Sequence, residues 1–351
     1  MEHTDPVPSS LHQFADPSSE HASTHSGRVP YRGAMRVSDV RLEELDTQGF
    51  TIVEGFLGSD ELAAAQDQLW HTFPRPEEFF ADPSAFAHLA KGQFAGLKLF
   101  PAPGWALNRL ATHPDLVDAA ERFLGSADLE LYKIEVWAKY SGAVDYDQPH
   151  HRDFGNHSMV VPRDDGAGRQ LTTFVLLSDV SEVDGPTKVV PLEHTRDVPM
   201  VPDDSVAGFG FSVPIGRFAD VEVSVTGLAG TLFMYRTDVF HRGSNFGAPG
   251  RSRFAMLIDF QVRGPSWAGK MSWPNTANSP HWVELIERAT VRERDLFGFP
   301  KPGDEYWNSQ TLRDVGRRYP KMDMSPYGTS EPTARVVRPG DDTCAGERRP
   351  D

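Results

Sequence analysis

A mainly β fold, a sandwich or barrel with helices on its flanks, is what this sequence predicts. Two observations carry the prediction. From residue 129 onward, β-branched and aromatic runs follow one another: LELYKIEVWAKY (129–140), QLTTFVLLSDV (170–180), VEVSVTG (221–227), GTLFMYR (230–236) and RFAMLIDFQV (253–262). Short strands broken by turn residues at this spacing are the pattern of all-β sandwiches and barrels. Helical periodicity, by contrast, lies mostly before and after that block.

Taken in order, Ser38 is placed to cap a first helix carrying Val40, Leu42 and Leu45, which stops at Gly49. Ser59 is placed to cap a second through Leu62, Ala65 and Leu69, with Asp60 and Glu61 at the positive end of its dipole. A third follows Pro114 and ends at Gly125; later helices are predicted near 281–292 and 309–319. Residues 1–34 and 328–351 are rich in polar residues and proline, without periodic apolar positions, and read as disordered tails. His3, His12, His21 and His25 match no ligand spacing and read as solvated tail residues. One domain is expected over 35–327, with its β core at about 129–263. The segment 264–327, rich in Trp, Tyr, Met and Pro, is either a lid or, preferred here, a skirt packed on the core.

Composition narrows the function. A chain of 351 residues with 39% hydrophobic content is long enough for a large core. A net charge of −15 argues against nucleic acid or an anionic membrane as partner. No apolar run approaches the roughly 18–20 residues of a membrane span. The segment MEHTDPVPSS lacks the basic and apolar regions of a secretory signal, and the single cysteine, Cys344, admits no intrachain disulfide. A reducing cytoplasm is the expected compartment. Nothing in the sequence fixes an oligomeric state.

The chemistry concentrates in QPHHRDFGNH (148–157) and DVFHRGSNFGAPGRSR (238–253). The first supplies His151 and Asp153; the second supplies His241, 88 residues later (241 − 153), followed by Arg251 and Arg253. Two imidazoles and one carboxylate are the donor set that holds non-haem Fe(II) and leaves positions open. On an extended strand, residues at i and i+2 share a face, so His151 and Asp153 are expected to reach one ion together. His150 then points the other way, and His157, His194 and His281 read as non-ligands.

These motifs resemble the phytanoyl-CoA dioxygenase family of Fe(II)/2-oxoglutarate-dependent oxygenases over roughly residues 37–263. The resemblance runs through LEELDTQGFTIVEGFLGSDELAAA (42–65), the His-x-Asp pair, LTTFVLLSDVSEVDGPTKVVPLEH (171–194) and AGTLFMYRTDVFHRGSNFGAPGRSRFAMLIDF (229–260). Pro191-Leu192-Glu193-His194 stands where the family has Pro-Gly-Ser-His. The resemblance implies a double-stranded β-helix (jelly-roll, cupin-like) barrel with Fe(II) held by His151, Asp153 and His241. It further implies 2-oxoglutarate as cosubstrate, O2 as oxidant, and succinate and CO2 as coproducts.

The far carboxylate of 2-oxoglutarate calls for a buried cation, and an arginine fork matches it best. Arg251 and Arg253 share strand parity; Arg253 opens the RFAMLIDF strand and is preferred. Thr173, Lys139 and Ser244 are further candidates for hydrogen bonds to it. Related halogenases carry Gly or Ala at the carboxylate position, so Asp153 implies hydroxylation or desaturation. Phe154, Asn156, Trp137 and Phe94 are expected to shape the pocket for a small organic substrate. Two other readings stay open: a cupin-type hydrolase or isomerase, and a barrel that only binds a ligand.

Overall fold

The computed structural model describes residues 35–328 apart from 144, 164, 167 and 207–210. The expected tails, with their histidines and Cys344, lie outside the described residues, save Gly328. The helices are α1 (Asp39–Gln48), α2 (Ser59–Leu69), α3 (Pro76–Ala81), α4 (Trp105–Arg109), α5 (Pro114–Leu124), α6 (Phe154–His157), α7 (Pro280–Arg288), α8 (Val291–Leu296) and α9 (Ser309–Arg318). The strands are β1 (Phe50–Val53), β2 (Leu97–Leu99), β3 (Leu129–Tyr140), β4 (Gln170–Leu176), β5 (Thr187–Val189), β6 (Val223–Val225), β7 (Leu232–Arg236), β8 (His241–Gly243) and β9 (Ser252–Val262).

The strands form two antiparallel sheets, one of six in the order β1-β7-β4-β9-β3-β2 and one of three in the order β6-β5-β8. Helices flank them, and side chains from both sheets line one cavity. This is the jelly-roll arrangement the sequence predicts. The β3–β9 ladder is its longest pairing, running from Leu129↔Val262 to Tyr140↔Ser252, with an irregularity between Leu131 and Lys133.

Alternation along that ladder divides the work of the two faces. Ile134, Val136, Met256 and Ile258 point to the helix side, where they join Leu69 of α2, Leu116 and Ala120 of α5 and Leu285 of α7 in the main core. Truncating a residue such as the fully buried Ile258 to alanine would cost about 2–5 kcal/mol. Lys133, Trp137, Lys139, Arg253, Ala255 and Leu257 take the opposite parity and face the cavity.

The helix ends follow local chemistry. Ser38 caps α1, its side chain accepting from Arg41 N, and α1 ends at Gly49 with φ +87°. A Cβ there would lie 2.4 Å from Val239 Cγ2, so both conformation and space demand glycine. Leu45 is buried, whereas Val40 is exposed. The expected Ser59 cap is corrected by one residue. Gly58 is the N-cap, and its N–H donates to Glu61 Oε2 at 3.0 Å, because the glutamate side chain reaches back where a serine would otherwise serve. Behind β3, Phe100 stacks on Phe297 with centroids 5.5 Å apart, beside Trp273 and Trp282, and Met271 N donates to Tyr132 O at 2.7 Å.

Candidate metal centre and its cavity

His151 and His241 face each other across an antiparallel bridge, with reciprocal backbone hydrogen bonds of 2.9 and 3.0 Å and ring centroids 4.4 Å apart. Asp153 arrives differently from the expectation. The chain does not continue as a strand. It turns at Asp153 (φ −65°, ψ −26°) into the short helix α6. A helical bend, rather than the two-residue pleat, brings the carboxylate under the imidazoles.

One donor atom from each of His151, Asp153 and His241 lies within 4.8 Å of the others. Asp153 Oδ1 is 3.8 Å from His151 Nε2 and 3.5 Å from His241 Nε2. The remaining polar atoms of all three residues are tied down. His151 Nδ1 faces Pro149 O at 3.1 Å, His241 Nδ1 faces Val239 O at 3.2 Å, and Tyr235 Oη donates to Asp153 Oδ2 at 2.6 Å. A carbonyl against Nδ1 selects the tautomer with its proton there, leaving both Nε2 lone pairs and Oδ1 aimed at a common point.

The electrostatics favour the same states. Burial first, and His241 second, hold the His151 imidazole down at about 4, so it is neutral at physiological pH. Burial alone would raise Asp153, but the His241, His157 and His151 rings and Lys133 outweigh it and hold its carboxyl well below the usual carboxylate range. A neutral His151 imidazole and an ionised Asp153 carboxylate are the forms a divalent cation requires. The donor set therefore fits a 2-His-1-carboxylate iron.

The cavity in front of these atoms takes in some of the residues singled out from the sequence and leaves out others. Arg253 and Lys139, cross-strand partners, both line it. Arg253 is half-buried and Nη1 donates to the Gly185 carbonyl. Lys139 Nζ donates to Ser244 O at 2.8 Å and lies over the Tyr146 ring at 4.2 Å; burial, then Arg253, pull its amine down to about 7. Arg251 is turned outward, forking onto Asp184 with bonds of 2.6 and 3.1 Å, and its side chain is 44% exposed.

Thr173 is not brought to the site. Its hydroxyl donates to Ile258 O at 2.8 Å, while Phe174 and Leu176, of the other parity, face the cavity. Ser244 Oγ is likewise committed to Pro186 O at 2.6 Å, and only its main-chain carbonyl touches Lys139. Phe94, Trp137 and Asn156 line the cavity; Phe154 instead lines a separate recess. His150 Nε2 pairs with Glu222 at 2.8 Å, away from the centre.

Several cavity groups escaped the sequence reading. Tyr235 is one. His157 is another, its Nδ1 2.8 Å from Tyr132 Oη and its Nε2 3.5 Å from Lys133 Nζ. Beneath them Asp259 is fully buried, and burial holds its carboxyl well above the ordinary range. A carboxylate inside the apolar run RFAMLIDF was the available signal for it.

The model of the phytanoyl-CoA dioxygenase (PhyH) family matches residues 45–253, more than half of the chain, and the chain belongs to this family. No curated protein matches it. Among solved structures, the chain is similar to the non-heme alpha ketoglutarate dependent epimerase SnoN from nogalamycin biosynthesis. The identity is 22% and the TM-score 0.46, over 64% of this chain and 80% of that one. It is also similar to AviO1 from Streptomyces viridochromogenes Tue57 (17% identity, TM-score 0.44, 68% and 100% of the two chains). EctD from S. alaskensis in its apoform gives 18% identity and a TM-score of 0.46, over 70% of this chain and 85% of that chain. Among the described residues no helix is long and apolar enough to cross a membrane.

Proposed function

We propose that this protein is an Fe(II)/2-oxoglutarate-dependent dioxygenase that hydroxylates or desaturates a small organic substrate in the cytoplasm, forming succinate and CO2 from the cosubstrate. The observation that carries the reading is the convergence of His151 Nε2, His241 Nε2 and Asp153 Oδ1, each with its other polar atom already bonded. In this reading those three atoms hold the iron, which when bound supplies oxidation of an unactivated C–H bond by O2. Arg253, a half-buried cation lining the end of the cavity, receives the far carboxylate of 2-oxoglutarate by a charge-assisted fork. Lys139 beside it adds a second donor. Phe174, Leu176, Phe233 and Leu257 keep the space between the two ends dry, which strengthens both sets of polar contacts. The segment 264–327 is read as a skirt on a single domain spanning 35–327.

The test is succinate formation from 2-oxoglutarate under air with added Fe(II), together with the alanine variants of His151, Asp153 and His241. Each variant should lose most of its iron affinity and its succinate formation while keeping the native circular dichroism spectrum. A cupin-type hydrolase would yield no succinate. Full iron loading of His241→Ala would overturn the assignment.

A further inference from the structure

The cavity has a second polar end that the iron and cosubstrate leave unused. Lys133 and Lys139 lie on the same face of β3, six residues apart, about 20 Å of extended strand at ~3.3 Å per residue. Lys139 and Arg253 form one end. At the other, Lys133 lies in a cross-strand row with Asp259, Thr172 and Tyr235. Tyr235 bonds Asp153, so this row runs directly beneath the metal centre.

Two donors meet there. Lys133 Nζ stands 3.5 Å from His157 Nε2, and both residues line the cavity. Tyr132 Oη, fully buried, lies 2.8 Å from His157 Nδ1. In the tautomer in which the phenol donates to Nδ1, the imidazole proton sits on Nε2, beside the ammonium. In that tautomer the two donors have no hydrogen bond to give one another and are spaced to share one acceptor from the cavity. Asn156, exposed and lining the same end, adds an amide. Glu135 pairs with the Lys133 ammonium at 3.4 Å and also accepts from Trp137 Nε1 at 3.1 Å, which holds the ammonium in place.

We propose that Lys133 and His157 bind a carboxylate of the substrate, so that this enzyme acts on small organic acids whose apolar body lies against Trp137 and Phe94. The proposal rests on 2-oxoglutarate occupying the Arg253 end. A carboxylate is favoured over a neutral carbonyl because it adds to the ammonium's hydrogen bond the Coulomb attraction between two opposite charges held out of water. Lys133 and His157 are in this reading specificity-determining residues, not metal ligands.

The experiment uses the full chain loaded anaerobically with Fe(II) and saturating 2-oxoglutarate. Binding of 3-phenylpropionate is compared with that of 3-phenylpropionamide by isothermal titration. The native protein should bind the acid at least tenfold more tightly than the amide. Lys133→Met should abolish that preference while leaving the amide within about threefold, His157→Gln should weaken the acid several-fold, and Lys133→Arg should retain the preference. Equal binding of acid and amide, no measurable binding of the acid, or a preference that survives both Lys133→Met and His157→Gln would overturn the proposal. Failure of 2-oxoglutarate itself to bind, registered in the loading step, would instead strike the oxygenase reading on which it rests.

Discussion

Tyr235→Phe isolates the support of the metal centre from its ligands. The phenol donates to Asp153 Oδ2 at 2.6 Å, and both groups are largely out of water. The ring itself stays packed, with centroids 4.9 Å from Phe233, 6.0 Å from Phe174 and 4.7 Å from His241. The substitution therefore deletes one hydrogen bond to a charged acceptor and little else. Such bonds are worth about 1.5–3 kcal/mol. At 1.4 kcal/mol per tenfold, that corresponds to roughly a 10- to 100-fold weaker metal affinity, the usual range for groups that orient a ligand. Anaerobic calorimetric titration of the metal-free protein with Fe(II) measures it directly, and the melting temperature should move by only a few degrees. If Tyr235→Phe binds Fe(II) within twofold of the native protein while Asp153→Ala binds none, the orienting role of the hydroxyl is refuted.

Arg253→Gln should weaken 2-oxoglutarate by a hundredfold or more, about 3–5 kcal/mol for a desolvated carboxylate left unpaired, while Arg251→Gln, which removes an exposed partner from Asp184 and leaves its bonds from Ser181 in place, should change it a few-fold; equilibrium binding of 2-oxoglutarate to each variant checks both. Gly185→Ala should weaken it too. Gly185 has φ +62°, a Cβ would lie 2.9 Å from Ser244 O, the carbonyl that Lys139 holds, and the backbone that must shift carries the Gly185 carbonyl that Arg253 holds. Acid should destabilise the metal-free protein. His150, His151 and His157 each sit at about 4 when folded, against 6.5 when unfolded, so unfolding takes up protons between those values and stability falls as pH drops from 6.5 towards 4. Asp259, raised when folded, works in the opposite sense for one proton, leaving a net uptake. Denaturant midpoints at pH 7 and pH 5 would show the loss, at about 1.4 kcal/mol per pH unit for each net proton. With Asp153 occupying its position, no chlorinated product should appear in chloride buffer, which mass spectrometry of reaction mixtures tests.

How far the site could be read from the sequence depended on whether residue type or strand register decided the matter. His151, Asp153 and His241 were readable because two imidazoles and a carboxylate in that order are a chemical statement, indifferent to the turn that delivers Asp153. Thr173 was misplaced for a physical reason. β4 is covered on both faces, with the helix-packed core on one side and the cavity on the other, and six of its seven residues are buried. A strand without a solvent face has no hydrophobic alternation, so nothing in LTTFVLL says which parity looks inward. The same gap hid Tyr235, Lys133 and Asp259. They come from three strands far apart in the chain, and only the pairings Lys133↔Asp259, Asp259↔Thr172 and Thr172↔Tyr235 set them side by side. A slip of one residue in either β4 pairing would turn Thr172 to the helix side and break the row, yet leave the three ligands intact in sequence. The tightly packed core behind β3, β4 and β9 is therefore part of the metal centre's specification. Ile134, Val136, Ile258 and Met256, none of which touches the cavity, hold the register that puts the tyrosine hydroxyl against Asp153.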